Sequence, residues 1–141
     1  MPHLEPKPGL IIRYDYLWMR EAAGGRDQGK ERPACLAAAT DPAAAPRFVV
    51  ILPIAHAPRD TDTVGVEIPA KVRAALGPDD APCWVVVSEH NVDAWPNGGL
   101  APVPGRPGVF GHGFIPPGLF ARVKAKFLEL YEKGRSGGVR R

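Results

Sequence analysis

A chain of 141 residues with a formal net charge of +3 and 45% apolar residues can bury one core, and it lacks the charge density of a disordered polyelectrolyte. Seventeen prolines and sixteen glycines divide it into short segments, which argues against a helical bundle and for a loop-rich β fold. The apolar stretch near the N-terminus is too short and too interrupted for a signal peptide, and nothing approaches a membrane span, so a cytoplasmic protein is expected.

Residues 1–8 carry prolines at positions 2, 6 and 8 and read as an extended lead-in. LIIRYDYLW, Leu10 to Trp18, is β-rich and roughly alternating, which predicts a strand with Tyr14 and Tyr16 on one face and Arg13 on the other. MREAAGGRDQGKE, Met19 to Glu31, reads as a long charged loop. PACLAAAT, Pro33 to Thr40, predicts a second strand that starts on a proline, a position strands tolerate.

After a turn at DPAAAP comes RFVVILPI, Arg47 to Ile54, a continuous apolar run and the clearest strand. HAPRDTDT is polar and loop-like. GVEI predicts a short strand, and PAKVRAALG a helix with proline at its start and glycine past its end. CWVVVSE, Cys83 to Glu89, is a further buried strand, followed by a long irregular connection from Asn91 to Gly108. FGHGFI predicts a last strand. PPGLFARVKAKFLELYEK, Pro116 to Lys133, is an amphipathic helix with Phe120, Val123, Phe127, Leu130 and Tyr131 as its apolar stripe. The tail GRSGGVRR, 134–141, reads as a flexible basic end.

The fold class is therefore mainly β with appended helices (β + α): a small, strongly curved sheet or open barrel in a single domain over 1–141, its core about 8–133. Cys35 and Cys83 lie in apolar runs and read as buried thiols in a reducing compartment. Their spacing supports no zinc site, and neither a metal nor a cofactor is expected.

Several pieces occur in a distinctive order: Pro8-Gly9, the glycine-rich GRDQGKERP of Gly25 to Pro33, Thr40-Asp41, ILPIAH of Ile51 to His56, VEI of Val66 to Ile68, and Glu89. This series resembles the PemK/MazF-like toxins of type II toxin–antitoxin systems, over roughly Pro8 to Lys133. The resemblance implies an SH3-like barrel with a C-terminal amphipathic helix, a homodimer, metal-independent cleavage of single-stranded RNA, and a cognate antitoxin protein. It makes Arg32, His56 and Glu89 the candidate catalytic residues, with Arg26, Gln28, Lys30 and Arg13 contacting RNA. In three places the sequence departs from the family: Ala55 stands where a threonine or serine is common, His56 follows it, and HNVDAWP replaces a segment that tends to carry a further arginine.

Such cleavage uses the neighbouring 2′-hydroxyl as nucleophile. It needs a proton acceptor, a cation for the phosphate and a proton donor. A guanidinium holds two phosphate oxygens at once, and histidine exchanges protons near neutral pH. Each residue also has a plain alternative: Arg32 a surface arginine pairing with Glu31 or Asp27, His56 a loop histidine bonded to a carbonyl, Glu89 a backbone-bonded carboxylate beside an exposed His90. The competing functional expectation is a catalytically inactive barrel that binds protein or RNA, kept open by Ala55.

Overall fold

The computed structural model describes residues 4–56, 62–76 and 81–141. Among these, the chain runs β1 (Leu10–Tyr16), α1 (Met19–Ala23), β2 (Lys30–Ala39), β3 (Phe48–Ala55), β4 (Gly65–Glu67), α2 (Ala70–Leu76), β5 (Trp84–Val86), β6 (Glu89–Ala94), β7 (Leu100–Ala101), β8 (Gly111–Phe114), α3 (Pro117–Glu132) and β9 (Gly137–Arg140). The nine strands form one sheet that does not close, with path β4-β5-β3-β2-β1-β7. All pairings are antiparallel except β6 with β9, which is parallel. The expected mainly β architecture with appended helices is therefore present. No helix among the described residues is long and apolar enough to cross a membrane.

The central strands are apolar on both faces because both are covered. Even-numbered residues of β1 (Leu10, Ile12, Tyr14, Tyr16) join Trp18, Ala34, Leu36, Ile51 and Trp95 in one core. On the other face Ile11, Cys35, Leu52, Val85 and Val87 meet α3 through Leu119, Val123, Phe127 and Leu130. Register breaks between Leu36 and Ala38, and between Ile11 and Ile12, mark where the sheet bends. β3 forks: Phe48–Ile51 pairs with β6, and Ile54–Ala55 with β5.

Four expectations are corrected. The Met19–Glu31 segment is not all loop: its first turn is α1, started where the Glu21 carboxylate accepts the Trp18 amide at 3.1 Å. The connection after Glu89 holds β6 and β7 rather than irregular chain. The tail expected as a flexible end is β9, which lies along β6 from Glu89↔Gly137 to Val92↔Arg140. On α3 Val123, Phe127 and Leu130 are buried as predicted, but the ends of the stripe differ: Leu119 is buried, Phe120 is only half-buried and Tyr131 is 56% exposed. Part of the polar segment from His56 onward lies outside the described residues, as does Gly77 after α2.

Candidate functional site

Arg32 is the third residue of β2 and pairs across the sheet with Tyr14. Its side chain therefore rises on the face of Tyr14 and Tyr16. There the guanidinium carbon lies 5.2 Å from the centroid of the Trp18 ring, which meets Tyr16 edge to face at 5.2 Å. Such cation–π stacking is worth about 0.5–2 kcal/mol, depending on desolvation. Burial lowers the Arg32 pKa, opposed by Glu21 and Tyr16 and reinforced by Arg20 and Arg13 nearby. The group remains a cation, held by aromatic faces in a half-dry setting.

Its lack of an acceptor sets Arg32 apart. Five arginines are half-buried among the described residues: Arg13, Arg32, Arg47, Arg73 and Arg141. Arg13 pairs with Glu31, Arg47 with Glu5, and Arg73 donates to the Ile68 carbonyl. Arg141 donates to four oxygens. Arg32 has no hydrogen bond or ion pair with any described residue; its Nε, like those of Arg13, Arg47 and Arg73, is shielded from solvent without an acceptor. It pairs with neither Glu31 nor Asp27.

The surrounding polar groups are mutually engaged. Glu89, at the start of β6, accepts the Met19 amide at 2.9 Å and the Tyr16 hydroxyl at 3.1 Å through Oε1. Burial, then the Glu89 charge, pushes the Tyr16 hydroxyl well above its ordinary pKa, so it serves as donor. Glu21 accepts from Arg26 at 3.1 Å. Arg32 and Glu89 thus flank Tyr16, on the same side of the sheet.

The remaining candidates scatter. Ala34 pairs with Pro53, so continuing the register sets Ala55 opposite Arg32, and its methyl belongs to the same core as Tyr16 and Trp18. His56 is one residue further, exposed, with Nδ1 3.3 Å from the Pro82 carbonyl oxygen on the approach to β5. The structure therefore does not bring His56 to Arg32. Arg13 lies on the opposite face of β1, 3.7 Å from Glu31. Arg26, Gln28 and Lys30 are exposed along the loop into β2. His90, taken as exposed, is buried: its Nδ1 sits 2.9 Å from the Ser136 hydroxyl, with Phe127 and Tyr131 edge-on to its ring. His112 is half-buried in β8.

Sequence reasoning missed Trp18, Glu21 and Arg141 as parts of this site. For Glu21 a signal existed: a carboxylate three residues after a strand's end is capping spacing. Trp18 looked like one more strand residue. No group of three or more His, Cys, Asp or Glu that could hold a metal occurs among the described residues. No protein-family model, curated protein or solved structure matches the chain.

Chemically, the site offers a cation oriented by the Trp18 ring and without a protein acceptor, with a carboxylate–phenol pair one side chain away. A guanidinium in such a setting can hold an anion, and bidentate phosphate oxygens are the geometry it prefers.

Proposed function

We propose that the protein is the toxin component of a type II toxin–antitoxin system of the PemK/MazF-like kind, a cytoplasmic metal-independent endoribonuclease on an SH3-like barrel. Its substrate is single-stranded RNA, its partners a cognate antitoxin and a second copy of itself. Arg32 carries the reading. A half-buried guanidinium that no protein acceptor occupies is open to an anion, and a scissile phosphate is such an anion. Arg32 clamps that phosphate and stabilises the charge developing on it. Glu89, joined to Tyr16 on the same face, is the better placed of the two proton-transfer candidates, since His56 faces the β5 side.

A second reading is an RNA-binding barrel without catalysis. Ala55 favours it, because it places a methyl group in the core with Tyr16 and Trp18, at the position where the family commonly has a hydroxyl.

One experiment separates the readings. Purified protein, free of any antitoxin, is incubated with long single-stranded RNA in chelator; cut ends are mapped and affinity is measured in parallel. The enzyme reading expects cleavage, reduced at least about 100-fold in Arg32→Ala, the scale for losing one preorganised transition-state donor. Binding abolished by Arg32→Ala with RNA left intact supports the module. Neither binding nor cleavage across varied sequences overturns both.

A further inference from the structure

We propose that Arg141 is a positioning residue for the Arg32 site, fastening the loop that leads into β2; this rests on the phosphate-clamp reading above. The Arg141 guanidinium reaches three parts of the fold at once. Nη1 lies 2.6 Å from the Asp15 carbonyl oxygen, 3.1 Å from the Tyr14 hydroxyl and 3.1 Å from Asn91 Oδ1. Nη2 donates to the Asp27 carbonyl at 3.1 Å. Its cation also stacks on Tyr14, 5.6 Å from the ring centroid.

Each partner has a place in the site. Tyr14 is the cross-strand neighbour of Arg32, and its hydroxyl donates to Asp93 at 2.7 Å. Asn91 accepts the Leu17 amide and donates to the Leu17 carbonyl, which fixes the backbone just before Trp18. Asp27 is in the middle of the loop between α1 and β2. That loop has two further ties to the fold: Arg26 to α1 through Glu21, and the Gly29 amide to Asp15 Oδ1 at 2.6 Å. Arg32 is only three residues beyond Gly29. The middle tie at Asp27 therefore sets how the chain enters the strand that carries the guanidinium.

β9 delivers Arg141 and does little else for the core. It has four residues, two of them glycine, at the margin of the sheet. Its glycines admit close neighbours: a Cβ at Gly138 would stand 2.8 Å from His90 Nε2, and one at Gly137 would run into the Met19 sulfur. The Arg141 amide donates to the Val92 carbonyl at 2.8 Å, holding the residue at the mouth of a cleft of about 460 Å³ that Asp27 and Asp93 also line. A positioning role, rather than direct phosphate contact, is argued from the four protein oxygens on β1, β6 and the loop that both Nη groups already engage.

The test compares the wild-type chain with Arg141→Ala and Arg141→Lys. Backbone amide exchange of residues 27–30 and the side-chain Nε–H resonance of Arg32, shifted by the Trp18 ring, report positioning; kcat and KM on single-stranded RNA report its consequence. We expect exchange at least tenfold faster in Arg141→Ala, a moved Arg32 resonance, and kcat at least tenfold lower with KM within twofold. Arg141→Lys should not rescue, because an ammonium cannot span the same acceptors. Unchanged exchange and resonance overturn the inference, as does full rescue by lysine. A raised KM with unchanged kcat also overturns it, by making Arg141 an RNA contact. If the wild type cleaves no RNA, the enzymatic reading fails, and exchange with the Arg32 resonance still decides the role of Arg141.

Discussion

Gly29→Ala tests whether close approach between the α1–β2 loop and β1 sets the geometry of the site. A Cβ at position 29 would run into the Tyr16 carbonyl oxygen, with the carbonyl carbon at 2.8 Å and Asp15 Oδ1 at 3.1 Å. The obstacle is backbone in a central strand, which no side-chain rotation relieves. Either β2 lifts away from β1 at its start, or the loop repacks. Overpacking of this kind costs about 1–3 kcal/mol. Lifting also breaks the 2.6 Å bond from the Gly29 amide to the Asp15 carboxylate. A hydrogen bond to a charged group contributes about 1.5–3 kcal/mol, taken at the low end because Asp15 is only half-buried.

Together these give a loss of about 3 kcal/mol, or a fall in Tm of roughly 6–12 °C for a chain of this size. Gly98→Ala is the control, since a Cβ there meets nothing within 4 Å. Urea or thermal unfolding of both variants gives the comparison. RNA affinity should fall with Gly29→Ala more than its residual unfolded fraction explains, because Arg32 is displaced. A Gly29→Ala midpoint equal to that of Gly98→Ala would refute the close-approach reasoning.

Two further outcomes follow from buried titratable groups. Burial lowers the His90 pKa below its ordinary value near 6.5, so the unfolded chain binds the proton more readily; the stabilising component is complete above pH 6.5 and is lost as pH falls through it, at no more than about 1.4 kcal/mol per pH unit. Subtracting the His90→Gln stability profile isolates this component, and a difference that stays flat from pH 8 to 5 would count against it. Cys35 is fully buried with its thiol pushed up to about 12, whereas Cys83 is half-buried; an aromatic disulfide reagent at pH 8 should label Cys83 and leave Cys35 unlabelled until unfolding, and equal rates would contradict that.

Elements with strong local patterns were legible in the sequence. RFVVILPI is β3 within a residue at each end, and the helical stripe of PPGLFARVKAKFLELYEK is α3, because periodicity alone decides such segments. β6 was not legible: EHNVDA has little β-propensity and becomes a strand only because β3 offers Phe48–Ile51 as a partner across the sheet. β9 is a sharper case, since GGVR signals flexibility, and its glycines serve instead to let His90 and Met19 come close. Arg32 stood out only through the family resemblance, since the residues around it read equally as those of a surface arginine. Its environment was not legible, because the residues that shape it meet over long separations: Tyr16 with Glu89, Asp15 and Asp27 with Arg141.

The two halves of the proposed chemistry place unequal demands on this site. Clamping a phosphate needs only the anion, since the Arg32 guanidinium is already oriented by Trp18 and holds no competing acceptor. Proton transfer needs Glu89 to exchange donors it already has, because Oε1 is bonded to both the Met19 amide and the Tyr16 hydroxyl. One of those donors must leave before Oε1 is open to a proton from substrate. The β1–α1 junction, which supplies the Met19 amide, is therefore where binding and catalysis would part company.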